Sequence, residues 1–168
     1  MPDEHLYAPW RMTYIKSLEK RDGQGCFLCE DAACTADAEC RQRHVLWTSA
    51  RCVVVINRYP YTNGHLLVAP RRHVAEIEDL TDAEAADMHM QTVTCVKLLR
   101  KAMSPQAFNI GLNLGHAAGA GLPGHLHQHV VPRWAGDTNF MSVVAKVRIV
   151  PQALEQLWDE LRKTYAGL

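Results

Sequence analysis

The sequence predicts an α+β domain in which helices pack on a mostly antiparallel sheet of about five strands. Apolar runs of strand length occur before and after one long helical pattern, and a second helical pattern ends the chain. This spacing gives no repeating β-α units, which a parallel sheet would require. The chain has 168 residues, close to the size of one domain, so we expect a single domain over 1–168.

The first part of the chain, 1–44, is predicted to be an N-terminal helix followed by a cysteine segment. The helix is expected over Tyr7–Lys20. Two cysteines with metal-ligand spacing, Cys26 and Cys29, come next. The polar stretch from there to Arg43 shows no clear periodicity, so it is predicted to be an irregular excursion.

Three strands are predicted after this segment. Val45–Thr48 is the first, and Cys52–Asn57 is a continuous β-branched run typical of a buried strand. The turn signal Asn63-Gly64 precedes a further apolar run, His65–Ala69. These features predict a hairpin with a loop longer than a tight turn.

The helix that follows has a clear start and end. Thr81 and Glu84 have the spacing of a capping box, in which each side chain accepts a hydrogen bond from the other residue's backbone N–H. Ser104-Pro105 ends the helix. Its predicted apolar face consists of Ala85, Met88, Thr92, Val96, Leu99 and Met103.

Two more strands and a helix complete the chain. Phe108–Leu114 alternates apolar and polar residues, and His125–Val131 is predicted to be a strand that Pro132 closes. The last helix is expected over 151–168, with Pro151 in its first turn. Its apolar stripe consists of Leu154, Leu157, Trp158, Leu161 and Tyr165.

Composition and charge exclude several classes of protein. Lys and Arg together number 18, as do Asp and Glu, so the formal net charge is zero. A chain with this balance lacks the overall positive field that attracts nucleic-acid polymers or anionic membranes. The unusual feature is histidine: there are nine, three of them within five residues.

The start of the chain and its cysteine usage predict a cytoplasmic protein. Met1-Pro2-Asp3-Glu4 is acidic and lacks an apolar core, which is atypical of a signal peptide. The longest apolar run, Cys52–Ile56, is far shorter than the roughly 18 residues of a membrane span. Six cysteines are too few for a disulfide scaffold, so the CxxC pair indicates a metal or redox site.

The histidine row is the strongest chemical signal. In a strand, alternate residues share a face, so His125, His127 and His129 are expected to project together at intervals of about twice the ~3.3 Å rise. Burying three imidazoles without partners would be costly, because each has a donor and an acceptor. The row therefore indicates catalysis or metal binding, and spacing alone leaves both open.

A glycine-rich loop runs directly into this row. Its glycines are Gly115, Gly119, Gly121 and Gly124. Glycine lets backbone N–H groups approach an anion closely, which favours a phosphate. The loop is not a P-loop, because no Gly-Lys-Ser/Thr follows.

These residues together resemble the histidine triad family, whose motif is His-φ-His-φ-His-φ-φ, where φ is a hydrophobic residue. The motif stands here as HLHQHVV, with polar Gln128 at one φ position. Two longer segments, INRYPYTNGHLLVAPRRHVAEIEDL and NLGHAAGAGLPGHLHQHVVPRW, are also similar to the family. WAGDTNFM resembles its bacterial branch, which includes diadenosine tetraphosphate phosphorylases.

The resemblance implies a role for each site residue. His127 is the nucleophile, His129 hydrogen-bonds the phosphate, and His65 lies on the leaving-group side. Asn57 corresponds to the position that binds the ribose and Asn113 to one that contacts the phosphate. The glycines expected at the nucleotide are Gly119, Gly121 and Gly124. Many members have a Ser or Gln shortly before the first histidine, whereas this chain has Gly121-Leu122-Pro123-Gly124, which lacks a side-chain donor.

The resemblance also implies a structural zinc. Its expected ligands are Cys26, Cys29, His73 and His125. An alternative set would use Cys34, Cys40 or His44, and a redox disulfide is a further alternative for the CxxC pair.

The function implied is that of a nucleotide hydrolase or transferase. It would cleave diadenosine polyphosphates at the α-phosphate through a covalent nucleotidyl-histidine, as a homodimer without an organic cofactor. The alternatives are an adenosine phosphoramidate hydrolase and, from a different class, a non-catalytic zinc-stabilised nucleotide-binding module. A uridylyltransferase is disfavoured because those relatives have Gln at the position of His129.

Overall fold

The computed structural model describes residues 25–137 and 152–168, and its described part is an α+β fold. Five strands form one sheet in the order β1-β2-β3-β5-β4, and every neighbouring pair is antiparallel. The strands are β1 (Val45–Thr48), β2 (Cys52–Ile56), β3 (Leu66–Pro70), β4 (Ala107–Leu112) and β5 (Gln128–Arg133). The described helices are α1 (Phe27–Ala33), α2 (Asp37–Arg43), α3 (Asp82–Met103) and α4 (Leu154–Tyr165). The predicted fold class and the β2–β3 hairpin are thereby confirmed.

The two faces of the sheet have different partners. Val54, Leu66 and Val130 lie on one face and belong to the main core, which α3 and α4 cover. Val55 and Leu67 lie on the other face and belong to a smaller cluster, which α1 covers through Leu28. His129 pairs with Leu67 across the β3–β5 ladder, so its side chain shares the α1 face. This face therefore holds the histidines.

The predicted boundaries of the histidine strand were wrong. The strand begins at Gln128 and continues through Pro132 to Arg133. His125 and His127 lie just before it. Proline is tolerated because β3 pairs with β5 only as far as Val130, so at Pro132 the strand has β4 alone as a neighbour.

The prediction of an irregular segment between the CxxC pair and Arg43 was also wrong. The segment forms the two seven-residue helices α1 and α2. Leu28 and Ala32, spaced as i and i+4, form a buried face too short to stand out as a periodic pattern. Cys34 and Cys40 form a disulfide that joins the end of α1 to α2. The predicted helix Tyr7–Lys20 lies outside the described residues.

The bounds of the long helix α3 were predicted correctly, but its apolar face was only partly right. Met88, Thr92 and Leu99 are buried, whereas Ala85 is exposed and Leu98 is buried in addition. The side of a helix that the sheet covers is fixed by packing, which the period of the sequence indicates only approximately.

The start of α3 helps to position the site. Its capping box is present: Glu84 N–H donates to Thr81 Oγ1, and Thr81 N–H donates to the Glu84 carboxylate. Glu84 also accepts two hydrogen bonds from Arg72, and together these contacts lower the pKa of Glu84 to about 2. Because Arg72 precedes His73, this pair ties the segment after β3 to the start of α3.

The final helix packs as its stripe predicted, with Leu157, Trp158 and Leu161 buried. Its predicted bounds of 151–168 were too wide, because the backbone is still extended at Ala153 and the helix spans Leu154–Tyr165. Trp158 Nε1–H donates to the carbonyl of Val45 at the edge of the sheet. Within residues 25–137 and 152–168, none of the helices combines the length and apolar character needed to cross a bilayer.

Candidate active site

His127 is held in one orientation at the centre of the histidine row. Its ring is 7% exposed, and its Nδ1–H donates to the carbonyl of His125 at 2.8 Å. This bond leaves Nε2 as the nitrogen with the free lone pair. Burial lowers the pKa of His127, which keeps the ring neutral at pH 7. A neutral, oriented imidazole is a competent nucleophile.

His65 and His129 form a directed hydrogen-bond chain beside it. Tyr61 N–H donates to His65 Nδ1 at 3.1 Å, so His65 must have its proton on Nε2. That Nε2–H lies 2.9 Å from His129 Nδ1 and donates to it. A neutral His129 then has its own proton on Nε2. Sequence reasoning expected His65 on the leaving-group side, and the structure places it fully buried beside His129.

His129 is a neutral hydrogen-bond donor. Burial, and secondly the neighbouring His127, lower the pKa of His129 to about 4. Its ring centroid lies 5.1 Å from that of His127. A fixed N–H donor beside a nucleophile can stabilise charge that develops on a phosphate oxygen.

The two asparagines of the predicted site lie at opposite ends of the His65–His129 hydrogen-bond pair. Asn57 Nδ2 donates to His65 Nδ1 at 3.2 Å, and Asn57 Oδ1 accepts from Tyr59 N–H. Asn113 Nδ2 lies 3.3 Å from His129 Nε2. With the His129 proton on Nε2, the Asn113 amide must turn its oxygen to this position to accept it. The structure therefore brings Asn57, Asn113, His65, His127 and His129 together in one site.

The glycine loop is partly used in its own folding. Gly119 has a φ of +86° and its N–H donates to the carbonyl of His116, so this glycine serves a turn. Gly121 and Gly124 follow, and no hydrogen bond from their N–H groups occurs within the described part of the chain. These two amides are the better candidates for an anion.

The predicted metal ligands lie together at one end of the histidine row. The Sγ atoms of Cys26 and Cys29 and the ring nitrogens of His73 and His125 all lie within 4.8 Å of one another. His125 Nε2–H donates to the carbonyl of Pro70 at 2.8 Å, which leaves Nδ1 toward the sulfurs as a ligand atom. This cluster could hold a metal ion.

The electrostatics of the cluster depend on burial. Burial and the neighbouring Cys26 thiol raise the pKa of Cys29 to about 11. Burial also lowers the pKa of His125. Metal binding to such a thiol requires loss of its proton, which the charge of the ion favours.

The alternative metal ligands Cys34, Cys40 and His44 lie outside this cluster. Cys34 and Cys40 are bonded to each other, and His44 Nε2 lies 3.7 Å from Glu155. Cys26 and Cys29 are free thiols. Cys52 and Cys95 are fully buried core residues, as their apolar surroundings predicted.

The family follows from comparison with known proteins. The sequence model of the HIT domain matches residues 39–136, more than half of the chain. The chain belongs to the HIT domain family. HIT stands for histidine triad, so the resemblance described from the sequence is confirmed.

Relatives within the HIT family differ in their reactions. The AP-4-A phosphorylase of Mycobacterium tuberculosis is 37% identical over 153 residues, which are 90% of this chain and 78% of the relative. An asymmetrical bis(5'-nucleosyl)-tetraphosphatase of Schizosaccharomyces pombe is 33% identical over 55% of this chain and 50% of its own length.

The HIT fold is also seen in solved structures. A zinc-bound histidine triad protein from Mycobacterium smegmatis superposes with a TM-score of 0.66 at 25% identity. The match covers 85% of this chain and 94% of that protein.

Sequence reasoning missed two residues that orient the histidines of this HIT site, and one buried carboxylate on α1. Tyr61 supplies the N–H that orients His65, and Pro70 the carbonyl that orients His125. Asp31 on α1 is buried, with Oδ1 3.6 Å from both Arg43 and Arg58, and its burial raises the pKa of that carboxyl to about 6. Only Tyr61 had a sequence signal, since it lies in a Tyr-Pro-Tyr loop between two candidate site residues.

Proposed function

We propose that this chain cleaves diadenosine polyphosphates at the α-phosphate through a covalent nucleotidyl-His127 intermediate. The observation that supports this most directly is the orientation of His127, whose Nδ1–H is bound by the His125 carbonyl and whose pKa is lowered by burial. The similarity to an AP-4-A phosphorylase over 90% of the chain supports the substrate class.

In the first step, His127 Nε2 attacks the α-phosphorus and the P–O bond to the rest of the polyphosphate breaks. With diadenosine tetraphosphate the leaving product is ATP, and AMP remains bonded to Nε2. The Nδ1–H bond to the His125 carbonyl stabilises the positive charge that develops on the ring. His129 Nε2–H donates to the phosphate, and His65 acts through His129 by fixing its tautomer.

In the second step, an oxygen nucleophile attacks the same phosphorus and breaks the P–N bond. Inorganic phosphate yields ADP, and water yields AMP. Asn57 is proposed to bind the ribose and Asn113 the phosphate. The N–H groups of Gly121 and Gly124 are proposed to bind phosphate oxygens, while the amide of Gly119 is used in its turn.

The metal cluster is proposed to hold a structural zinc on Cys26, Cys29, His73 and His125. Zinc bonds of about 2.3 Å to sulfur and about 2.0 Å to nitrogen place tetrahedral ligands about 3.5 Å apart. The Sγ–Nδ1 distances are 3.1 Å between Cys26 and His125 and 3.3 Å between Cys29 and His73, which suits such an ion. A bound zinc would supply no step of the reaction and would join α1 to the segment before β5.

We further propose a homodimer formed at the exposed edge strand β4. This strand pairs with β5 on one side, and its other side has no partner strand in the described sheet. Ile110 on this edge is 46% exposed. Open strand edges with apolar side chains favour pairing with a second chain.

The dimer is tested by sedimentation velocity of an Ile110→Asp variant. We expect the wild-type chain to sediment as a dimer and the variant as a monomer, because a charge would be buried at the joined edges. The matched control is Ile77→Asp, an equally exposed isoleucine away from the sheet edge, which should remain dimeric. A monomeric wild-type chain would contradict the proposal.

The function is tested by incubating the protein with diadenosine tetraphosphate, with and without inorganic phosphate, and resolving AMP, ADP and ATP. Phosphate-dependent ADP plus ATP identifies a phosphorylase. AMP plus ATP formed without phosphate identifies a hydrolase, which is the activity in the name of the Schizosaccharomyces pombe relative. Adenosine phosphoramidate is included as a second substrate. The absence of any cleavage would overturn the catalytic proposal and favour a nucleotide-binding module.

A further inference from the structure

Two tyrosines in the β2–β3 loop are partly exposed. Tyr59 is 54% exposed and Tyr61 is 42% exposed. Their backbone is anchored to the site, because Tyr59 N–H donates to Asn57 Oδ1 and Tyr61 N–H donates to His65 Nδ1. Pro60 between them restricts the chain further. The backbone of the loop is therefore held at two points beside the site.

The tyrosine platform, defined as Tyr59 and Tyr61, is anchored at one end of the histidine row through its backbone bonds to Asn57 and His65. The Tyr61 ring lies 4.6 Å from His65 and is stacked at 5.8 Å on His129. The metal cluster lies at the other end, where His125 contacts Pro70 at the far end of β3. The phosphate-binding histidines therefore lie between the metal cluster and the platform.

A separate aromatic side chain, Phe27 of α1, is the candidate contact for the base of the transferred nucleotide. The Phe27 ring of α1 is partly buried and lies 5.7 Å from the guanidinium of Arg58, which follows Asn57. Phe27 therefore lies near the residue that follows the candidate ribose ligand Asn57. A substrate with two bases can use a second aromatic surface, which the tyrosine platform would supply.

We propose that Tyr59 and Tyr61 bind the base of the leaving nucleotide, which makes dinucleoside polyphosphates the preferred substrate class over mononucleotides. This inference rests on the proposed function. Bases stack on tyrosine through their flat faces, and stacking tolerates any base. The platform should therefore select for the presence of a second base and not for its identity. Stacking on the platform would also hold the leaving nucleotide in a chain whose Gly121-Leu122-Pro123-Gly124 segment has no side-chain donor to bind it.

The test compares diadenosine tetraphosphate with adenosine 5'-tetraphosphate, which has the same transferred AMP but a leaving group without a base. For each variant the readout is the ratio of kcat/KM for the two substrates. Tyr59→Leu is expected to lower this ratio about tenfold, because one stacked base is lost. Tyr61→Leu should lower it similarly, while Tyr61→Phe, which retains the ring, should preserve it.

The ratio separates stacking from damage to the histidines. Disturbance of His129 by Tyr61→Leu would slow both substrates equally and leave the ratio unchanged. Met90→Ala, on the exposed face of α3, is the control and should alter neither rate. A ratio that stays at the wild-type value in both leucine variants would overturn the proposal.

A binding measurement keeps the inference testable if no substrate is cleaved. Calorimetry would then compare the methylene-bridged, non-hydrolysable analogues of diadenosine tetraphosphate and adenosine 5'-tetraphosphate. Tighter binding of the two-base analogue that is lost in Tyr59→Leu would support the platform even though the catalytic proposal had failed. Equal binding of both analogues to the wild-type protein would refute it.

Discussion

Replacing His127 with asparagine is expected to lower kcat for diadenosine tetraphosphate by on the order of 10⁴-fold or more, since it removes the side chain that attacks the α-phosphorus in the first step. His129 is the nearest alternative, but its Nδ1 accepts from His65 and its Nε2 carries the proton. Asparagine retains a donor of similar reach to the His125 carbonyl, so we expect the variant to fold.

The adduct itself provides the second measurement. Substrate labelled with ³²P at the α-phosphate should leave acid-labile label on the quenched wild-type protein and none on His127→Asn. The control is His89→Asn, an exposed histidine on α3, which should keep full label and activity. Label retained on His127→Asn would show that another residue is the nucleophile.

Removing the metal ligands should have the second large effect. We expect Cys26→Ser with Cys29→Ser to lose the bound metal and to unfold at a Tm lower by about 10 °C or more. The reason is the size of α1: a helix of seven residues is unstable alone, and its described packing is the small cluster around Leu28 and Ala32. Loss of α1 would also expose the histidine face of the sheet.

Metal analysis and calorimetry of the purified protein check this prediction. A chelator should reproduce the Tm shift in the wild-type protein and have no effect on the double variant. Cys34→Ser with Cys40→Ser is the matched control, because it removes two cysteines outside the cluster and should keep the full metal content. Full metal stoichiometry in Cys26→Ser protein would contradict the proposed site.

The local patterns of the sequence predicted most of the fold. Three local patterns predicted an element without knowledge of tertiary contacts. They are the β-branched run at Cys52–Ile56, the capping box at Thr81 that marks the start of α3, and the apolar stripe of α4. The helices α1 and α2 could not be predicted in this way. Seven residues give one apolar contact face at most, and Leu28 becomes a core residue only once β2 and β3 are beneath it.

The sequence by itself determined the chemistry of this protein: a row of alternating imidazoles, a glycine loop beside it and a CxxC pair with metal-ligand spacing. Only the tertiary structure decided how those groups act. The His125 ring is oriented by Pro70, 55 residues away, and His129 by His65, 64 residues away. Proton positions, burial and the nearby tyrosine rings depend on such distant contacts, because a hydrogen-bond partner or a covering side chain is set by folding and has no fixed offset along the chain.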